Sequence, residues 1–97
     1  MVFDLSKIAS IGDFTSKKDK ERELFLKDDK VFLVVNKNTI EVRVDDKLGQ
    51  LLREKYESVM ESRYFGRGGI EIVLAGQLTG SEIQDLIRLS YNLTTQN

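Results

Sequence analysis

The architecture of this chain turns on Val31-Phe32-Leu33-Val34-Val35, then Asn36-Lys37-Asn38-Thr39, then Ile40-Glu41-Val42-Arg43-Val44. The first run is apolar on both faces and rich in β-branched residues, the pattern of a central strand buried on each side. The tetrad after it carries turn residues and no large apolar side chain. The third run alternates strictly, which predicts a half-buried strand with Ile40, Val42 and Val44 inward and Glu41 and Arg43 outward.

Upstream, Leu24 and Leu26 flank Phe25, and Lys27-Asp28-Asp29-Lys30 is a second turn, because Asp bonds its own backbone and tolerates turn conformations. Residues 23–45 therefore predict a three-stranded antiparallel meander. Further upstream, Thr15-Ser16-Lys17-Lys18-Asp19-Lys20-Glu21-Arg22-Glu23 contains no apolar side chain and reads as an exposed loop or helix end. Leu5, Ile8 and Ala9 have helical spacing within residues 2–14, with Asp4 as a cap and Gly12 as a stop.

Downstream the period changes. Leu48, Leu51, Leu52, Tyr56, Val59 and Met60 recur at three and four, predicting an amphipathic helix over residues 46–60 capped by Asp45 or Asp46. Gly49 within it suggests a close approach to the sheet. Residues 62–69, Ser-Arg-Tyr-Phe-Gly-Arg-Gly-Gly, read as a loop whose glycines allow positive φ. Ile70, Ile72 and Leu74 mark one face of a further strand over 69–75. Thr79 and Glu82 form a capping box ahead of a helix that buries Ile83, Leu86, Ile87 and Tyr91. The order β-β-β-α-β-α gives an α+β domain, an antiparallel sheet with two amphipathic helices on one face. Its 97 residues are the length of one domain, so residues 1–97 are expected to form a single unit.

Composition narrows the function. There is no Cys, His, Trp or Pro, so thiolate, imidazole and Cys/His metal chemistries are closed to this sequence. Fifteen basic against sixteen acidic residues give a net charge of −1, unlike a strongly basic nucleic-acid binder. The start Met1-Val2-Phe3-Asp4-Leu5 has no basic, apolar leader, and no run approaches the ~20 apolar residues of a membrane span. A cytoplasmic protein is expected, without membrane, cofactor or metal, and not an enzyme. Asp28, Asp29, Asp45 and Asp46 sit where turns and caps use Asp, which argues against a cation site of six or more oxygens.

Two groups of residues are candidates for binding. Lys17, Lys18, Lys20 and Arg22 form a basic tract interleaved with Asp19, Glu21 and Glu23, which suits phosphate contacts or a solvated charged loop. Arg63, Tyr64 and Arg67 flank Phe65 in a Gly-rich loop that could place arginines on phosphates and an aromatic ring under a base. Tyr64, unlike Tyr56 and Tyr91, lies off every helical stripe and is expected to be exposed.

Ile40-Glu41-Val42-Arg43-Val44-Asp45, Leu51-Leu52-Arg53-Glu54-Lys55-Tyr56, Tyr64-Phe65-Gly66-Arg67, Ile72-Val73-Leu74 and Leu86-Ile87-Arg88-Leu89-Ser90-Tyr91-Asn92-Leu93 together resemble the MmcQ/YjbR-like family across about residues 24–94. Ser90-Tyr91-x-Leu93 is the most specific part. The TfoX N-terminal domain shows a similar short pattern. The resemblance implies a double-wing α/β fold related to DNA-binding domains and, through it, nucleic-acid binding. The family's usual Trp at the start of the fourth strand is replaced here by Gly68-Gly69-Ile70, and its N-terminal helical segment is shortened. The function expected is thus a non-enzymatic binding module for nucleic acid, with a protein partner as the alternative.

Overall fold

The computed structural model describes residue 8 and residues 10–95. The elements are β1 (Thr15–Asp19), β2 (Arg22–Lys27), β3 (Lys30–Val35), β4 (Thr39–Arg43), α1 (Asp46–Lys55), β5 (Val59–Ser62), β6 (Gly66–Val73) and α2 (Gly80–Thr95). The strands form one six-stranded sheet in the order β1-β2-β3-β4-β6-β5, every neighbouring pair antiparallel. The fold is α+β, and both helices pack on one sheet face, α2 over β2, β3 and β4 and α1 over β5 and β6.

The meander forms as its sequence dictates. Asp28 and Asp29 both have positive φ, 51° and 66°, as a two-residue type I′ hairpin requires. Between β2 and β3 the register shifts at Phe25/Leu26, so that Leu33 pairs with Phe25, Val31 with Leu26, and Phe32 is the extra residue of a bulge. Phe32 and Leu33 can then both enter the main core, where both are fully buried.

Two strands lie where other elements were expected. Residues 15–19 are not a loop but the edge strand β1, with residues 15–18 exposed. An edge strand open to water on both faces needs no apolar alternation, and lysines there discourage pairing with another chain. The helix expected over 46–60 ends at Lys55, and Val59 and Met60 belong to β5. Val59 buries against the core, so its place on the helical spacing is accidental. β6 likewise starts at Gly66, inside the expected loop. Most of the helix read over residues 2–14 lies outside the described residues. Ile8 is buried in the main core, and its carbonyl accepts from Ile11 N–H at 2.9 Å.

The helix ends follow the sequence closely. Asp45 Oδ1 accepts from Leu48 N–H at 2.8 Å. Thr79 and Glu82 exchange reciprocal bonds of 3.1 and 2.8 Å, the two halves of a capping box. α2 is the better buried helix, with Ile83 and Ile87 at 0% exposure, whereas Leu52 of α1 is only half-buried and Leu51 is 57% exposed. Gly49 is buried because a side chain there would meet Val44 and Ile70 beneath the helix.

The Ser90-Tyr91 pair ties α2 to the sheet. Ser90 Oγ accepts from Arg43 N–H at 2.8 Å and donates to the carbonyl of Phe32, fixing the bulge to β4. Tyr91 Oη donates to the Asp13 carbonyl at 2.8 Å, its ring sits edge-on to Phe32, and the Lys27 ammonium lies 3.8 Å from its centroid.

Candidate functional site

Register assigns the side chains of the other sheet face. Leu24 pairs with Val34, Val34 with Glu41, Glu41 with Glu71, and Glu71 with Met60, so these residues share one surface. Lys17 and Asp19 of β1 and Arg22 of β2 fall on it as well. Among the described residues no helix lies on this face. A small apolar cluster of Leu24, Val31 and Val34, with Leu26 and Phe65 packed against it, covers part of the face.

The rest is polar, and its centre is a surprise. Glu41, expected to point into water, is 1% exposed, and Glu71 directly opposite is 4% exposed. Like charges facing each other across strands destabilise a sheet unless donors surround them. Here the donors come from the turns and the strand ends beside them. Ser62 Oγ and Tyr64 N–H both donate to Glu41 Oε1 at 2.8 Å, and Asn36 Nδ2 donates to Oε2 at 2.9 Å. Asn36 also donates to Thr39 Oγ1 at 3.0 Å, and that hydroxyl donates to Glu71 Oε2 at 2.7 Å. Arg63 closes the network with a fork onto Glu71, Nε to Oε1 at 2.9 Å and Nη2 to Oε2 at 2.7 Å. Burial pushes the Glu71 carboxyl up, but the Arg63 and Thr39 hydrogen bonds and the Arg63 charge outweigh it and hold the group below its usual range. Arg63 is in turn held more firmly protonated by Glu71.

Residues 63–65 are thereby pinned across the sheet. Tyr64 and Phe65 meet edge to face at 5.0 Å. The Arg22 guanidinium lies 5.2 Å from the Tyr64 ring and that of Arg43 lies 4.9 Å from the Phe65 ring. This gives a cation–aromatic–aromatic–cation row, with Tyr64 38% exposed. Gly66, at φ +62°, turns the chain after Phe65. Gly69 allows Phe65 and the Val42 carbonyl to come close, since a Cβ there would lie 2.7 and 2.6 Å from them.

Beside this row is an open cleft of about 730 Å³, bounded by the β1–β2 turn from Asp19 to Arg22, by Asn36 and Lys37 of the β3–β4 turn, and by Glu41 and Arg63. Arg22 is anchored in it by Asp19 Oδ2, through Nε at 3.1 Å and Nη2 at 2.8 Å. That bond holds the Asp19 carboxyl below its usual value.

Of the residues singled out from the sequence, the fold brings Arg22, Arg63 and Tyr64 into one surface, with Lys20 at its rim and Lys17 on the same face. Lys18 pairs with Glu23, which pairs with Val35, and so belongs to the helix-bearing face. Arg67 is exposed and has no ion-pair partner among the described residues. Lys37, Asn36, Thr39, Glu41, Ser62 and Glu71 were not recognised as site residues. Only the antiparallel pairing of β4 with β6 makes Glu41 and Glu71 neighbours, and one strand's alternation cannot reveal that. The paired aspartates are structural: Asp28 and Asp29 form the hairpin, and Asp45 caps α1. Among the described residues no group of acidic side chains is arranged to hold a metal ion, and no helix is long and apolar enough to cross a membrane.

No family model and no curated protein sequence matches the chain. Its fold is found in solved structures. Protein DR2400 of Deinococcus radiodurans, which carries the family-model domain DUF419, superposes with a TM-score of 0.82 at 17% identity, covering 99% of this chain and 81% of that one. A protein from Pseudomonas syringae superposes with a TM-score of 0.74 at 20% identity, covering 95% of this chain and 99% of that one. The chain therefore has the fold of a DUF419-containing protein.

Proposed function

We propose that the protein is a non-enzymatic binding module that takes nucleic acid, single-stranded in preference to duplex, on its helix-free face. The observation that carries this reading is the Arg22–Tyr64–Phe65–Arg43 row. An antiparallel sheet with its helices on the far side offers a platform on which splayed bases stack, while flanking cations take the phosphates. The resemblance to MmcQ/YjbR-like proteins, with their double-wing fold, favours the same partner. A cytoplasmic location goes with this reading, as a cysteine-free chain needs no oxidising compartment.

Binding is weak, since near-neutral net charge gives little long-range attraction. Contacts to two phosphates give a salt slope of about −1.4 on single strands, against about −1.8 on duplex. Arg67 is the cleaner probe of the loop, because Arg63 also holds the Glu71 network together. Arg67→Ala should weaken all sequences alike and reduce the slope by about 0.7. The experiment is an oligonucleotide titration at low salt followed by amide shifts. A response on residues 63–69 supports the reading. No binding at a roughly millimolar limit rejects it and favours a protein partner, for which Leu51 and Met60 are exposed apolar side chains among the described residues.

A further inference from the structure

Arg22 and Arg63 reach the cleft from different segments, β2 and the β5–β6 connection, yet are held in a similar way. Each is engaged by a carboxylate through Nε and Nη2, Arg22 by Asp19 and Arg63 by Glu71. In both, Nη1 makes no hydrogen bond among the described residues. A guanidinium fixed side-on by an acid is oriented in advance, so that it meets an incoming oxyanion with little loss of side-chain freedom. Lys20 and Lys37, on the two hairpin turns that border the same cleft, are exposed and have no carboxylate partner among the described residues. The acids of the cleft do not cancel this set equally. Both oxygens of Glu41 already accept donors, whereas Glu21 stands exposed at the β1–β2 turn and opposes the cations directly. The cleft volume of about 730 Å³ lies within the range of small-molecule sites, and Arg22 borders both the cleft and the Tyr64 ring.

We infer that this cleft holds the phosphate of a single nucleotide unit between Lys20, Lys37 and the Nη1 groups of Arg22 and Arg63, with the base of that unit on the exposed side of Tyr64. The choice of a nucleotide over other phosphates rests on the nucleic-acid reading, while the phosphate cleft rests on the two anchored arginines. A free mononucleotide and one unit of a strand present the same chemistry to it.

The test is an amide-shift titration of the full chain with adenosine 5′-monophosphate, with adenosine, with inorganic phosphate and with a short single-stranded oligonucleotide. The monophosphate should shift residues 20–22, 36–37 and 63–65, phosphate alone should shift 20–22 and 37, and adenosine should bind at least about tenfold more weakly than its monophosphate. The Lys20→Gln/Lys37→Gln variant, which touches no ion pair, should keep the urea midpoint and bind the monophosphate about tenfold or more weakly. Equal binding of adenosine and its monophosphate, or full affinity in the variant, overturns the inference. An oligonucleotide that still binds the variant normally, with shifts confined to residues 63–69, overturns the cleft and leaves the nucleic-acid reading standing. A monophosphate that fills the cleft of a protein that binds no oligonucleotide supports the cleft and removes the nucleic-acid reading.

Discussion

Glu41 and Glu71 oppose each other on β4 and β6, and the relay Glu41–Asn36–Thr39–Glu71 joins them through hydrogen bonds in which both amide hydrogens of Asn36 are used. Removing one member leaves several donors stranded. Glu41→Ala takes the acceptor from Ser62 Oγ, Tyr64 N–H and Asn36 at once, and should cost about 2–4 kcal/mol in urea unfolding. Glu41→Gln keeps the oxygen that serves Ser62 and Tyr64. It sets an amide against Asn36 but removes the repulsion with Glu71, so its cost should stay below about 1 kcal/mol. Equal losses for the two variants would mean that the negative charge of Glu41, and not the oxygen that Gln retains for Ser62 and Tyr64, holds the network. The alternation of Ile40–Val44 correctly gives the face on which Glu41 lies. It misleads about water because a sheet's second face is assumed to be wet, and here residues 63–65 cover it.

At the level of elements, legibility follows burial. β3 and β4 were readable because apolar side chains must be hidden, and α2 because Ile83, Ile87 and Tyr91 all face the core. β1 was not, because Thr15–Asp19 buries almost nothing and is a strand only by pairing with β2. β5 was hidden because Tyr56, Val59 and Met60 continue a helical spacing across a real break after Lys55. For the site, the arginines and Tyr64 were readable as residue types, whereas their convergence with Lys37 depends on hairpin turns far apart in sequence. The two helices should differ in mutation. Ile87→Ala empties a fully buried position and should cost about 2–5 kcal/mol, while Leu52→Ala, at a half-buried one, should cost about 1–2 kcal/mol. Two glycines offer a sharper contrast. A methyl at Gly49 comes within 3.2 Å of the Val44 side chain and of the Arg53 terminus, and the gain in helix propensity, about 1 kcal/mol, roughly offsets that crowding. At Gly69 a methyl would lie 2.6 Å from the backbone oxygen of Val42, which cannot swing aside, so Gly69→Ala should cost about 1–3 kcal/mol by chemical denaturation.

The whole molecule's response to acid follows from which carboxyls the fold holds down. Asp19, Glu71 and Glu82 all have folded values below their unfolded ones, through Arg22, through Arg63 and Thr39 against burial, and through Thr79 respectively. A group lowered in the folded state binds its proton more readily when unfolded. Its stabilisation is therefore complete above the unfolded value, here 3.8 for Asp and 4.5 for Glu, and is lost as pH falls through the folded one. With no His in the chain, these three groups contribute little slope between neutrality and roughly pH 5 and a steepening loss below it. Arg63→Ala isolates the buried member of the set. The variant leaves Glu71 with Thr39 against burial, so its carboxyl moves upward. At pH 7 an under-compensated charge then sits in the sheet, whereas in the parent the ion pair weakens only as pH falls through the lowered folded value of Glu71. The variant should thus lose more stability at pH 7 than in acid below that value, measured as urea midpoints across the range. A loss independent of pH would show that Arg63 stabilises the face by packing its stem over the strands, and that the charge on Glu71 is held by the Thr39 and Asn36 relay alone.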